Sequence, residues 1–221
     1  MEDQLAILIL ENPWDKPKVN PGRASVLPFV EGICKLNTNI SVYYSTFHEI
    51  NGFDLALGQD LTHTKEKRQI LYIASHGNER GLKDFSLRKI IPIIKKYKKI
   101  EGILIGACYA GMSKSVTDLF DDTNVRWVVS YKALINWFDT TLIDLSILHH
   151  LSNDKAKLYG NKDDLTIAFS QALDIFKPEY KLNNSRNNNS KISSAIQVWG
   201  KPKGARKIIS ISDEIFGDDL P

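Results

Sequence analysis

The chain has 221 residues, 43% hydrophobic and 25% charged, with 29 Lys and Arg against 26 Asp and Glu for a formal charge of +3. That is enough chain for one sizeable core, and the small charge excess argues against nucleic acid: the clusters Lys95-Lys96-Tyr97-Lys98-Lys99 and Lys201-Pro202-Lys203 are short and do not interleave with aromatics as a stacking platform would. Two cysteines, Cys34 and Cys108, exclude a disulfide scaffold, and no run approaches the roughly 20 apolar residues of a membrane span. The start, Met1-Glu2-Asp3-Gln4, is acidic, and the apolar run after it is too short for a signal peptide. A cytoplasmic protein without membrane or nucleic-acid partners is therefore expected.

In chain order, Leu5 to Leu10 is a continuous apolar run of the kind a fully buried parallel strand shows. The spacing predicts a helix over Arg23 to Leu36, with Pro28 setting its start. Ile40 to Phe47 is β-branched and aromatic and reads as a second strand. Phe53 to Lys67 is ambiguous, a short helix with loops. Ile70 to Ser75 is the third strand, and Leu87, Ile90, Ile91, Ile94 and Tyr97 follow helical spacing around Pro92. Ile103 to Ala107 is the fourth strand. A short helix is expected over Met112 to Phe120, capped by Ser113 or Ser115. Val125 to Ser130 is the fifth strand. Thr140 to Leu151 and Leu165 to Phe176 are predicted helices, Ile196 to Trp199 a sixth strand, and Ile208 to Ile211 a seventh or a surface tail. The segment Lys181 to Lys191, rich in Asn and Ser, has one apolar residue and is expected to be a mobile loop. Alternating strands and helices imply one α/β domain over 1–221 with a mainly parallel sheet of about six strands.

Two strand ends carry chemistry. One run closes as Ile73-Ala74-Ser75-His76-Gly77, the next as Ile105-Gly106-Ala107-Cys108 followed by Tyr109-Ala110-Gly111. His76 and Cys108 are 32 residues apart, close to one strand–helix–strand unit of roughly 30 residues. Parallel neighbours joined that way end on the same sheet edge, where open α/β sheets place their sites. An imidazole beside a thiol can take its proton, and the thiolate attacks a carbonyl carbon. Gly77 permits a sharp turn, so its N–H and that of Cys108 can serve as oxyanion donors. Gly106 and Gly111 allow close packing around the cysteine and room for a substrate.

The pair of motifs, apolar strand–His-Gly and apolar strand–Ala-Cys-x-x-Gly, resembles the caspase-like cysteine peptidases (clan CD), most in look the bacterial CHAT-type proteases. The resemblance implies a three-layer sandwich with helices on both sheet faces. It also implies an endopeptidase in which His76 is the base or acid, Cys108 the nucleophile, and Gly77 and Cys108 the oxyanion hole. No cofactor and no metal are implied. Ala107 stands where many such proteins have an acidic residue, as in CHAT-type members. By the same likeness, the segment after the fifth strand would line the substrate cleft, with Ser130, Trp137 and Asp139 as candidates. Asp139 is alternatively a cap of the following helix, and Glu11 and Asp15 are rival pocket acids. A basic or apolar residue before the cut is favoured over aspartate. The partners implied are a protein substrate and an activating protein, in a role such as bacterial antiviral defence or cell death.

Two other readings stay open. A catalytically silent caspase-like adaptor would have no use for both His76 and Cys108. A glutaminase-like amidohydrolase needs a histidine after the cysteine, and His149-His150 lie in a helix-like apolar run where a catalytic histidine is out of place. No Cys-x-x-Cys or His-Glu-x-x-His spacing points to metal.

Overall fold

Five parallel strands carry the architecture, and their residues explain why. A computed structural model describes residues 4–14, 25–36, 39–61, 63–153, 159–183 and 190–217. Strands β1 (Leu5–Glu11), β3 (Arg68–Ala74) and β7 (Trp127–Tyr131) are buried along their whole length. So is β6 (Ile100–Gly106) except at Glu101. Such continuous apolar runs belong between two layers of helices. With β2 (Ile40–Thr46), β8 (Ile196–Gly200) and β9 (Ile209–Ser210) they form one sheet in the order β2-β1-β3-β6-β7-β8-β9. β2, β1, β3, β6 and β7 are mutually parallel, while β8 and β9 add antiparallel strands. The sheet thus has seven strands rather than about six.

Alternate residues feed two cores. Ile7, Ile9, Tyr72, Leu104, Val129 and Tyr131 face one side, covered by α1 (Leu27–Leu36), α4 (Trp137–Asn153) and α5 (Lys162–Leu173). Leu8, Leu10, Leu71, Ile73, Ile103, Ile105 and Val128 face the other, under α2 (Ile50–Leu55) and α3 (Leu87–Ile94). Each fully buried Ile or Leu is worth roughly 1.5–3 kcal/mol against exposure, so these two layers fix the strand register. A last short helix, α6 (Ile192–Ala195), leads into β8.

Several boundaries differ from expectation, for local reasons. α1 starts at Leu27, which puts Pro28 in its first turn, where a missing N–H does no harm. The ambiguous region resolves as α2 running on into a π-helical turn over Ala56–Leu61. α3 stops at Ile94, two residues past Pro92, whose missing N–H weakens the last turn. α4 begins earlier than predicted, at Trp137, and α5 ends at Leu173 rather than Phe176. Met112 to Phe120 is not an α-helix. Two 3₁₀ turns, Ala110–Met112 and Thr117–Phe120, take its place. Ser113 acts locally, its Oγ accepting the Ser115 N–H at 3.3 Å instead of capping a longer helix. A small hairpin follows His76, β4 (Gly77–Asn78) with β5 (Gly81–Leu82), closed by the Arg80 N–H donating to Asn78 Oδ1 at 2.8 Å. Asp15, residues 23 and 24 of the expected first helix and residues 184–189 of the Asn-rich segment lie outside the described residues. Lys181 and Lys191, flanking 184–189, pair as an antiparallel bridge.

Candidate active site

Register places the two motifs together. Ala74 at the end of β3 pairs with Gly106 at the end of β6, and the Ser75 N–H donates to the Gly106 carbonyl at 3.2 Å. His76 and Cys108 each follow two residues later, at the carboxyl edge of neighbouring parallel strands. Gly77 packs directly on the cysteine: a Cβ there would collide with the Cys108 carbonyl and lie 2.9 Å from both Cys108 N and Ala107 Cβ. Only glycine fits this approach.

Two backbone amides are left available. The Lys83 N–H donates to the His76 carbonyl at 2.9 Å, which makes His76/Lys83 and Asn78/Gly81 the hydrogen-bonded pairs of the hairpin. Gly77 and Leu82 are then a non-hydrogen-bonded pair, and the Gly77 N–H turns away from the hairpin. The Cys108 N–H donates to no other residue among the described ones. The Ser75 hydroxyl also donates to the His76 carbonyl, at 2.9 Å, so that peptide is held by two donors.

The His76 ring is half-buried against Trp14, with ring centroids 4.4 Å apart in an edge arrangement. Its Nε2 lies 3.4 Å from the Trp14 carbonyl oxygen. A carbonyl only accepts, so this contact requires hydrogen on Nε2 and leaves the Nδ1 lone pair of the neutral ring free. Sequence reasoning does not reach Trp14, because no local pattern announces a contact made across 62 residues.

Cys108 is 8% exposed. Its thiol donates to the Ile135 carbonyl at 3.6 Å. Burial pushes the thiol above its ordinary value, and hydrogen bonding at the Ile135 and Cys108 backbone offsets part of that. Tyr109 follows in the left-handed region, φ 58°, with its N–H donating to the Ala133 carbonyl at 3.1 Å. The cysteine is thus tied to the segment 132–136. That segment is held in turn by the Asn136 N–H on the Leu182 carbonyl at 2.7 Å and the Lys132 N–H on the Ala195 carbonyl at 2.8 Å.

The candidate cleft residues fall as follows. Ser130 is fully buried, its Oγ without a hydrogen-bond partner among the described residues and 2.9 Å from where a Cβ on Gly111 would stand. Trp137 packs edge-on against Phe29 at 5.8 Å, with its indole N–H buried and unpartnered among the described residues. Asp139 sits in the first turn of α4, where its Oδ1 accepts the Tyr180 hydroxyl at 3.0 Å. The cap belongs instead to Asn136, whose Oδ1 accepts the Phe138 N–H at 2.9 Å. Glu11 is not a pocket acid. It is 2% exposed, and its carboxylate accepts Ser25 Oγ at 2.6 Å, the Val26 N–H at 3.0 Å and the Tyr44 hydroxyl at 2.9 Å, anchoring the start of α1. Gly106 and Gly111 do not open substrate space either. Asp144 and Tyr72 fill the space over the first, Ser130 and the Tyr131 backbone that over the second. His149 and His150 lie within α4. No cluster of three or more His, Cys, Asp or Glu able to hold a metal occurs among the described residues, and no described helix is long and apolar enough to cross a membrane.

The fold is that of caspase-like proteins. Caspase-1 from Spodoptera frugiperda superposes with a TM-score of 0.53 at 12% identity, over 89% of this chain and 86% of that one. A secreted C11 cysteine protease from Bacteroides thetaiotaomicron, solved with an irreversible peptide inhibitor, gives 0.52 at 9% identity over 88% of this chain. An inactive zymogen C11 protease from Parabacteroides distasonis gives 0.52 at 11% over 96%. This chain spans 65% and 63% of those two C11 proteases. Neither known protein families nor curated protein sequences give a match.

Proposed function

We propose that this chain is a caspase-like cysteine endopeptidase working through Cys108 and His76. The observation that carries the reading is the Gly77–Cys108 backbone contact at the ends of two paired parallel strands. It supports the reading because it brings the strand ends bearing the thiol, the imidazole and the two amides to one edge, with no competing acceptor for the amides among the described residues. Because burial holds the thiol protonated at neutral pH, attack on a peptide carbonyl needs a base. His76, hydrogen-bearing at Nε2, offers Nδ1 to take the proton and later return it to the leaving amine. The Gly77 and Cys108 N–H groups then face the oxyanion, and water hydrolyses the thioester.

On the two segments that meet at the thiol, Met112, Leu134 and Phe138 are exposed apolar side chains, and the other exposed residues, Lys114, Lys132 and Asn136, include no acid. Together with the engagement of Glu11 and Asp139 elsewhere, this favours an apolar residue before the cut. A protein substrate and an activating protein partner belong to the same proposal, which rests there on likeness of fold. The test is labelling by peptidyl acyloxymethylketones bearing Leu, Arg or Asp at the reactive position. Wild type should form an adduct at Cys108, fastest with Leu, and Cys108→Ala and His76→Ala should form none. An intact, folded wild type that no probe labels and that cuts no peptide would favour the adaptor reading.

A further inference from the structure

Beneath the candidate site lies a buried carboxylate that the proposed mechanism does not use. Asp144, on α4, is 1% exposed. Its Oδ2 accepts the Tyr72 hydroxyl from β3 at 2.8 Å, and its Oδ1 accepts the Tyr131 hydroxyl from β7 at 2.6 Å. Between those strands runs β6, and it makes room with Gly106, where a Cβ would stand 2.8 Å from Asp144 Oδ2 and 3.1 Å from Tyr72 Cε2. The cluster therefore spans three adjacent strands at the level of Gly106. Tyr72 lies four residues before His76, Gly106 two before Cys108, and Tyr131 opens the segment whose Ile135 carbonyl meets the thiol. Cys108 and both tyrosines share one sheet face.

Among the described residues, nothing neutralises this carboxylate. Tyr72 and Tyr131 are the ionisable groups that face it, β6 contributes only glycine there, and Glu11 on β1 acts on Tyr72. Neither α1 nor α5 brings it an ion pair. An apolar residue would fill a purely structural position with a smaller penalty, since an isolated buried charge is strongly unfavourable.

We propose, building on the protease reading, that Asp144 is a positioning residue: ionised, it accepts from both tyrosines and locks the strand ends bearing His76 and Cys108; protonated, it must donate to one of them, leaves that tyrosine's O–H unpaired and loosens the site. The chemistry follows from donor count. A carboxylate accepts both hydroxyls, whereas a carboxylic acid must donate one hydrogen, so one tyrosine turns acceptor and its own O–H loses its partner. Burial raises the Asp144 carboxyl to about 7, and the two tyrosine bonds oppose that rise, so the switch operates near neutrality.

The test uses the full chain in a Cys34→Ser background and follows iodoacetamide alkylation of Cys108 by mass spectrometry from about pH 5 to about pH 9. Thiol reactivity is independent of any protein substrate. Wild type should show a step near neutrality on top of the thiol's own titration. Asp144→Asn should lose the step, and His76→Ala should keep it. Tyr72→Phe and Tyr131→Phe, each removing one bond that holds the carboxyl down, should move it up by about 1 pH unit. A step that survives in Asp144→Asn, that vanishes only in His76→Ala, or that stays put in both tyrosine variants overturns the proposal. Should Asp144→Asn not fold, the two tyrosine variants decide. Peptide hydrolysis is measured separately, so its absence alongside the expected alkylation profiles would count against the protease reading and not against Asp144.

Discussion

β3 and β6 end very differently at their two edges. At the amino edge Arg68 and Glu101 form a buried two-point ion pair, Arg68 Nη2 to Glu101 Oε1 at 2.6 Å and Arg68 Nε to the same oxygen at 2.9 Å. Tyr159 donates to that carboxylate at 3.4 Å, and Gln69 reaches Thr64 at 3.1 Å. At the carboxyl edge the same strands release a thiol, an imidazole and two backbone amides, beside indole N–H groups of Trp14 and Trp137 that are buried without partners among the described residues. One edge is satisfied and the other is left wanting. Unmet hydrogen-bonding capacity buried in a fold is destabilising, and among the described residues it gathers at the edge that carries the candidate site.

Substitutions at the two edges should separate chemistry from stability. The largest effect belongs to Cys108→Ala, which should lower peptide hydrolysis by about 10⁴-fold or more while leaving urea unfolding near wild type. Arg68→Ala should do the reverse. It leaves the half-buried Glu101 without its cation and should cost about 1–3 kcal/mol in urea unfolding, while the folded fraction still alkylates at Cys108 at the wild-type rate. Asp144 gives a pH-dependent contrast. Its carboxyl is raised to about 7 from 3.8, so the folded state holds a proton that the unfolded chain gives up. Its contribution to stability is complete below pH 3.8 and is lost as pH rises through about 7. Wild type should therefore lose up to about 4 kcal/mol over that window relative to Asp144→Asn, read by unfolding at each pH. Gly77→Ala has the smallest expected effect. It should lower hydrolysis by about 10²-fold through displacement of an oxyanion donor, and because its Cβ would meet the Cys108 backbone it should also lower the melting temperature.

The parallel core was legible because a strand buried on both faces has nowhere to hide a polar residue. Leu5 to Leu10 and Ile103 to Ile105 show this directly. That the strands leading to His76 and Cys108 end as parallel neighbours was legible through spacing, since one crossover between paired strands fixes where both strands end. Other features were not. Ser113 and Thr117 compete for local backbone bonds, and 3₁₀ turns prevail where apolar spacing allows a helix. The β4–β5 hairpin does have a signal, Gly77-Asn78 and Gly81 around an Asn able to bond its own turn, but it is only a few residues long. Asp144 also leaves a trace, a lone carboxylate within the apolar run Leu142-Ile143-Asp144-Leu145, while its tyrosine partners are set by tertiary contact alone. The roles of Asp139 and Glu11 turn on Tyr180 and Ser25, distant or local hydroxyls whose direction no pattern encodes.

The way the segment 132–136 is fastened has a consequence in time. Its anchors, the Leu182 and Ala195 carbonyls, come 51 and 64 residues later in the chain than Tyr131, the last residue of β7. The antiparallel strand β8, which closes over β7, follows Ala195 directly. During synthesis, at roughly 5–20 residues per second, β3 and β6 can pair and bring His76 beside Cys108 seconds before the segment that meets the thiol has anything to hold it. The surroundings of the thiol are thus completed well after the thiol itself is in place, by a much later part of the chain.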